Sequence, residues 1–380
     1  MRIVGWRSSL QALTLLLVAA ILIFSEARVL AAFSWLHLYR NQFAFAPGDW
    51  FAWRLNASRR TPEKTCILIG ASTVREGLSA SAIEDLIPGT NVVNLATTGG
   101  HSAIDAIEIQ ARVLASLGGR YKCVVVGLHP MFLRRFGADS YDLVTTDYTA
   151  VMPLSGIFDL SRALSTFPNK AQLIFKYSTP LGQHSLVLRR LMRLWLYEAH
   201  RLYVQADTSR ENYEEFEGEF TPQSQSVYSG PSVLKDIQES YTAQIKEIGW
   251  DRASSYGGKA EAAALRHSLQ MLSEITDRVV VVEMPESYLF RHVDAVARKP
   301  YEEALASTDV DMKVLRCKIP TSDEFQDFHD AIHLSERGRN LVSQSVASFL
   351  QERDSTLTQS DTNAVCQIRD GSEDRHFSRK

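Results

Sequence analysis

The sequence has little excess of charge of either sign and few cysteines. Its 380 residues carry 41 Lys and Arg against 44 Asp and Glu, a formal net charge of −3, and the basic residues form no block. Because non-specific nucleic-acid binding depends on clustered positive charge, no nucleic-acid partner is predicted. Four cysteines are too few for a disulfide-built scaffold in a chain of this length, so we expect an ordinary hydrophobic core.

The cysteines lie in two kinds of surroundings. Cys66 and Cys123 each open an apolar, β-branched run, where a free thiol behaves as a small hydrophobic side chain. We therefore expect both to be free core thiols rather than a bridge. Cys317 and Cys366 have more polar neighbours, so they are the favoured pair for a disulfide in an oxidising compartment.

Long apolar runs are also scarce, and the most apolar one is Leu10 to Phe24, preceded by Arg2 and Arg7. The run is shorter than the roughly 20 residues of a spanning helix, but it suits the apolar region of a secretory signal. A buried amino-terminal helix is less favoured because no polar face recurs along the run. We predict that the positive amino end stays in the cytoplasm and that the remainder of the chain is exported.

Two fates of this segment are open. The small residues around Ala31 would permit cleavage of a signal peptide, which would give a secreted protein. The apolar character continues beyond Glu26, however, and Trp35 and Tyr39 suit a membrane interface. We favour an uncleaved anchor over residues 1–45, which contacts the membrane and leaves the main domain outside the cytoplasm.

After a connector over residues 46–64, apolar strand-like runs alternate with helical patterns, which is typical of a parallel α/β sheet. The predicted strands are Cys66–Ile69, Asn91–Leu95, Tyr121–Leu128, Arg278–Met284 and Lys313–Cys317. The predicted helices are Ala80–Leu86, Ser102–Leu117, Lys259–Thr276, Tyr301–Ser307 and Ser335–Glu352. The α/β domain thus spans residues 65–352.

Two segments interrupt or follow this alternation. Residues 136–257 contain helix-like stretches followed by an acidic stretch, and we interpret them as a helical insertion. Its basic amphipathic stretch, Ser185 to Val204, could lie on a membrane, although packing on the domain is the favoured reading. Residues 353–380 are polar and charged, and they predict a disordered tail.

Ser72 stands on a turn directly after the first strand, and a helix is predicted to start near Ser79. Ligands of open parallel sheets gather at the carboxyl ends of the strands. Asp330 and His333, three residues apart, precede the last helix. A nucleophilic serine needs a base and an acid that orients the base, so the three residues predict a Ser72–His333–Asp330 triad.

Each part of this triad has a plainer explanation when taken alone. A serine after a strand is usually a turn former or helix cap. His329 and His333 have the spacing of two metal ligands on a helix, but the sequence lacks the Glu that a zinc protease would place between them. The conjunction of serine, histidine and aspartate at sheet edges favours the triad, and we predict no metal and no cofactor.

These residues resemble the blocks of the SGNH hydrolases, the GDSL-like esterases and acyltransferases. Gly70-Ala71-Ser72 is similar to the nucleophile block, with Ala where Asp is commonest, and Asp330-Ala331-Ile332-His333 is similar to the last block. The segment from Asn94 to Gly99 looks like the second block. The resemblance covers about residues 65–350, with the insertion unmatched.

The resemblance implies a three-layer, flavodoxin-like parallel sheet and an oxyanion hole built from the backbone of Ser72 and Gly99. Asn94 and Arg75 are the residues we expect at the substrate, Arg75 next to an anionic group. One block departs from the family: His129 stands where an asparagine usually completes the oxyanion hole. Either His129 donates in its place, or the hole has fewer donors.

We therefore expect an extracytoplasmic serine esterase or O-acyltransferase that acts on acyl esters, most simply acetyl esters, of a cell-envelope polysaccharide. It is similar in this to membrane-anchored proteins of alginate acetylation and lipoteichoic-acid D-alanylation, which implies an envelope acylation complex as a further partner. The alternative is a non-catalytic subunit that binds polysaccharide or scaffolds such a system. The intact triad favours the enzyme, and His129 favours the alternative.

Overall fold

The computed structural model describes residues 14, 17, 61–96, 103–133, 239–240, 242–243, 245–247, 249, 251–252, 256, 258–287, 290–319, 324–328, 330, 332–351 and 366–368. Apart from Thr14 and Leu17, all of these belong to one compact unit, formed by residues 51–148 and 218–380.

A six-stranded sheet forms the centre of this unit. Its strands are β1 (Thr65–Ile69), β2 (Asn91–Asn94), β3 (Cys123–Leu128), β4 (Val279–Glu283), β5 (Met312–Cys317) and β6 (Cys366–Ile368). Their spatial order is β2-β1-β3-β4-β5-β6. The first five are parallel and β6 pairs antiparallel with β5. The prediction of a parallel α/β sheet is thereby confirmed for β1 to β5, and the layout is consistent with the flavodoxin-like arrangement that the resemblance implies.

The inner strands are buried on both faces, which explains why their sequences are continuous apolar runs rather than alternating ones. Leu68, Val125 and Val280 point to one face and share a core with Val342 and Leu350 of the last helix. Their chain neighbours, such as Ile67, Val124 and Val281, point to the other face and are equally buried.

Helices cover the sheet. They are α1 (Ser72–Gly77), α2 (Ala80–Leu86), α3 (Ala103–Leu117), α4 (Lys259–Ile275), α5 (Arg291–Ala306), α6 (Glu324–Asp327) and α7 (Glu336–Gln351). The helices form two groups. In one group α7 packs against α2 and α1, and in the other α4 packs against α3 and α5. The layered arrangement places the turns after β1, β3 and β4 at one edge of the sheet.

Two helix boundaries differ from the prediction. A helix already begins at Ser72, because the six residues of α1 form a separate short helix before α2. Helix α5 begins at Arg291, ten residues before the predicted start at Tyr301, and Pro300 lies inside it.

The expectation of free thiols at Cys66 and Cys123 is wrong. The two residues are direct register partners on β1 and β3, with Cα atoms 4.5 Å apart, and they form a disulfide. Their shared position at the start of a strand places them side by side, because β1 and β3 are neighbours.

The expected Cys317–Cys366 disulfide is confirmed. It joins the edge strand β5 to β6, so residues 366–368 of the predicted disordered tail form a strand instead. An edge strand can bind another chain segment through its open hydrogen-bonding row, and this disulfide fixes which segment does so. The rest of the predicted tail is outside the described residues.

Several predictions fall on residues that are not described. They include most of the anchor over residues 1–45, the linker except for Thr61 and the 3-10 turn Pro62–Lys64, and nearly all of the insertion over residues 136–257. Thr14 and Leu17, within the apolar amino-terminal run, are both helical. In the described part of the chain, no helix has both the length and the apolar character needed to span a membrane.

Candidate active site

The turn that carries Ser72 requires glycine at position 70. Gly70 has a φ of +151°, a region that side chains strongly disfavour. A Cβ atom there would lie 2.4 Å from Val74 Cγ2 and 2.7 Å from the carbonyl oxygen of Gly127. The chain can therefore leave β1 and enter α1 within two residues only because residue 70 has no side chain, and Ser72 becomes the first residue of α1.

A buried side chain of α3 fixes the same turn. Gln110 is fully buried, and its Oε1 accepts a hydrogen bond of 2.8 Å from the Gly70 N–H. Its Nε2 donates to the carbonyl oxygens of Gly70, at 2.9 Å, and Leu95, at 3.3 Å. One amide therefore satisfies both backbone groups of Gly70, the residue that directly follows β1.

Asn94 holds the other end of α1. Its Nδ2 donates to the carbonyl oxygens of Leu78, at 3.0 Å, and Val74, at 3.4 Å, and its Oδ1 accepts from the Ala96 N–H. Only 1% of Asn94 is exposed. This geometry makes Asn94 a support of the nucleophile helix, which differs from the substrate contact that we predicted.

Asp330 and His333 lie on a loop whose two ends are joined by hydrogen bonds. The Ser335 N–H donates to the carbonyl oxygen of Asp327, and Ser335 Oγ donates to that of Gln326. Phe328 and Leu334, the next residues into the loop, form a β-bridge. Ser335 also caps α7, where its hydroxyl accepts from the Gly338 N–H at 3.4 Å, so the loop and the helix start share one anchor.

Asp330 orders the loop from within. Its Oδ1 accepts hydrogen bonds of 2.8 Å from the backbone N–H groups of both Ile332 and His333. These two bonds turn the backbone back toward the carboxylate and leave Oδ2 for the imidazole. The Asp-x-x-His spacing is therefore set by a local backbone turn.

The three predicted residues meet with the geometry of a catalytic triad. His333 Nδ1 lies 2.7 Å from Asp330 Oδ2, and His333 Nε2 lies 2.9 Å from Ser72 Oγ, across 261 positions of sequence. Asp330 Oδ2 accepts a hydrogen bond from the Nδ1–H group, so the Nε2 lone pair faces the serine hydroxyl. This arrangement can remove the serine proton as the hydroxyl attacks an electrophile.

The charges in the triad support that role. Burial alone would lower the pKa of His333, but the hydrogen bond and charge of Asp330, with a further contribution from Glu76, raise it above the ordinary histidine value. Burial likewise opposes ionisation of Asp330, yet its hydrogen bonds to the His333 ring and to two backbone N–H groups lower its pKa. The aspartate thus stays ionised and the imidazolium is stabilised.

His129 is buried and uses both ring nitrogens. Its Nδ1 accepts a hydrogen bond of 3.2 Å from the Met131 N–H, which caps the 3-10 turn Pro130–Phe132. Its Nε2 lies 2.9 Å from Glu286 Oε2 and 3.8 Å from Asp294 Oδ1. To donate to an oxyanion, as predicted, the Nε2–H would have to leave the carboxylates, so that role stays a prediction.

Among the described residues, His129, Glu286 and Asp294 are one group close enough to share a metal ion. Their present contacts do not fit one. Nδ1 of His129 accepts from a backbone N–H, so the proton of the neutral ring sits on Nε2, the atom that would have to bind the metal. Asp294 is in turn held by two nitrogens of Arg298. The group is a histidine beside two carboxylates, one of which is hydrogen-bonded to Arg298.

The remaining predicted site residues are placed only in part. Arg75 lies on α1 and is half-buried, three residues beyond the nucleophile. Gly99 and His329 lie outside the described residues. The sequence reading missed Glu76, four positions after Ser72, and Gln110; the helical spacing from Ser72 was a usable signal for Glu76, whereas nothing local marks Gln110.

Neither the models of known protein families nor the sequences of curated proteins give a match to this chain.

Proposed function

We propose that this protein is an extracytoplasmic serine esterase or O-acyltransferase of the SGNH type that acts on acyl esters of a cell-envelope polysaccharide. The observation that carries the proposal is the line of contacts from Asp330 through His333 to Ser72 at the edge of a parallel sheet. A serine hydroxyl within 2.9 Å of an imidazole that a carboxylate orients is the arrangement that acyl transfer requires.

The first half-reaction forms an acyl-enzyme. Ser72 Oγ attacks the ester carbonyl carbon while its proton passes to His333 Nε2, and the carbonyl π electrons move to the oxygen. The oxyanion collapses, the bond to the polymer oxygen breaks, and that oxygen takes the proton from His333. In the second half-reaction water or a sugar hydroxyl gives its proton to His333 and attacks the acyl carbon. The bond between that carbon and Ser72 Oγ then breaks, and Oγ takes the proton from His333, which regenerates both residues.

The oxyanion needs hydrogen-bond donors. Ser72 is in the first turn of α1, where backbone N–H groups have no acceptor within the helix, so its N–H is a suitable donor. The resemblance adds the N–H of Gly99. Loss of one donor from such a hole costs about 10²- to 10³-fold in rate, so a site without a third donor would be slow or specialised.

The compartment and the substrate class have separate support. Two disulfides are expected in an oxidising compartment, which agrees with export of the domain. The polysaccharide and its acyl group rest on the resemblance to envelope acylation proteins, as does a complex with other subunits.

The test uses the full chain and an O-acetylated polysaccharide. We expect acetate release, or acetyl transfer to an added acceptor oligosaccharide, and neither product with Ser72→Ala. Chromatographic detection of both products separates hydrolysis from transfer. Binding of the polysaccharide with no acyl chemistry in the folded wild type would contradict the enzyme.

That outcome would favour the second candidate, a subunit that binds polysaccharide without catalysis. The observation on its side is that His129, which stands where the family has its third oxyanion donor, is engaged by Glu286 and Met131.

A further inference from the structure

The nucleophile helix carries an acid that faces the catalytic histidine. Glu76 lies four residues after Ser72 on α1, so the two side chains project from the same face of that helix. Glu76 Oε2 is 3.7 Å from His333 Nδ1, the same ring nitrogen that Asp330 contacts at 2.7 Å. The His333 ring therefore faces two carboxylates, one on its own loop and one on the helix of the nucleophile.

The two carboxylates differ in kind. The 2.7 Å contact to Asp330 is a hydrogen bond, whereas 3.7 Å is too long for one, so Glu76 acts on the ring through its charge. The side chain of Glu76 is 13% exposed and that of Asp330 is 28% exposed. Water therefore screens Glu76 less than it screens the triad acid, which strengthens its effect across the longer distance.

We propose that Glu76 is a second acid of the site: a positioning residue that stabilises the protonated form of His333 and partly replaces Asp330 when that residue is lost. The inference rests on the proposed function insofar as it assigns the effect to catalysis. Among the described residues, the charged groups that act on the imidazole are Asp330 from its own loop and Glu76 from α1.

The spacing on the short helix explains how one element serves both partners. Because Ser72 and Glu76 are one turn apart, the hydroxyl reaches Nε2 while the carboxylate reaches Nδ1 on the opposite side of the ring. The ring therefore has two residues of α1 and one residue of its own loop as polar neighbours. A displacement of α1 would move the nucleophile and the second acid together.

The first test does not depend on catalysis. The histidines are isotope-labelled and titrated by NMR, and the His333 signal is identified by its loss in His333→Asn. The midpoint of that signal is then compared between wild type and Glu76→Gln. We expect the His333 titration midpoint to move to lower pH in Glu76→Gln, because one of two negative charges is gone. Glu274→Gln is the matched control: it removes an exposed carboxylate from α4. A midpoint that is the same in Glu76→Gln and wild type would overturn the proposal.

The second test measures function. Asp330→Ala should keep about tenfold more ester-hydrolysis activity than the double variant Asp330→Ala/Glu76→Gln, since Glu76 then provides the remaining charge. Glu76→Asp in the Asp330→Ala background should recover part of that difference. Equal activities of the single and double variants would contradict a second acid. If wild type is inactive while the NMR midpoint still moves, the proposed function fails and the electrostatic role of Glu76 stands.

Discussion

Two histidine–carboxylate pairs lie at the same edge of the sheet, and they differ in what the other ring nitrogen contacts. Nδ1 of His333 contacts Asp330, and its Nε2 faces the Ser72 hydroxyl. His129 faces Glu286 with Nε2, and its Nδ1 accepts from the Met131 backbone N–H. The same chemical groups thus leave a ring nitrogen facing a serine hydroxyl in one place and cap a buried 3-10 turn in the other.

A carboxylate beside a histidine is therefore not sufficient to make that histidine a candidate base. A base needs a free lone pair aimed at a proton that can leave, and a backbone N–H offers no such proton. Exposure differs in the same sense, since the His129 side chain is 4% exposed and that of His333 is 16% exposed. Matched substitutions in the two pairs therefore test whether His333 is the base and His129 a structural residue.

The largest expected effect separates the two histidines. His333→Ala should lower kcat for ester hydrolysis by up to about 10⁶-fold, because the general base is lost. His129→Ala should lower kcat by less than about tenfold if His129 is a structural cap. Steady-state kinetics on both folded variants check this; a loss of 10²-fold or more in His129→Ala with unchanged stability would instead make His129 an oxyanion donor.

The two carboxylates provide the next contrast. Asp330→Asn should lower kcat by about 10⁴-fold, because the amide favours the wrong tautomer of His333. Glu286→Gln, the matched change in the other pair, should leave kcat nearly unchanged. Comparable losses in the two variants would mean that both pairs take part in the reaction.

His129 should matter more for the stability of the fold than for kcat. His129→Ala removes the acceptor of the Met131 N–H and a partner of Glu286, so the free energy of unfolding should fall by about 1–3 kcal/mol. His267→Ala, at an exposed position of α4, is the control and should change little. Denaturant unfolding measures both, and equal stability of the two variants would contradict the structural role of His129.

The smallest effect is on pH dependence. The pKa of His333 is raised in the folded protein, so the base form is populated only above that raised value. The acid limb of the kcat profile should therefore have its midpoint above the ordinary histidine pKa of about 6.5. The same linkage stabilises the fold below the unfolded-state pKa, and this contribution disappears as pH rises through the folded value. A midpoint below about 6.5 would contradict the described surroundings of His333.

The triad could be predicted from sequence because each part has a local signal. Strand, glycine and serine occur in order around Gly70, and the Asp330 loop closes through bonds to residues two and three positions later. The parallel α/β sheet followed from the alternation of strand-like and helix-like segments. These features depend on neighbours in the chain, and the sequence displays such neighbours directly.

Contacts between distant segments could not be predicted in the same way. The Cys66–Cys123 disulfide depends on the register of β1 against β3, and the clamp on Gly70 comes from Gln110, forty positions away. Strand β6 depends on Cys366 reaching the edge of β5. A one-residue slip would separate each of these pairs, and sequence periodicity does not determine register at that precision.

The most direct test of the Ser72–His333 assignment is the rate at which a fluorophosphonate modifies the folded protein, with the modified residue located by peptide mass spectrometry. We predict one adduct per chain, on Ser72, formed rapidly in wild type and His129→Ala and abolished or greatly slowed in His333→Ala. Modification of another residue, or equal rates with and without His333, would contradict the assignment of Ser72 as a nucleophile activated by His333.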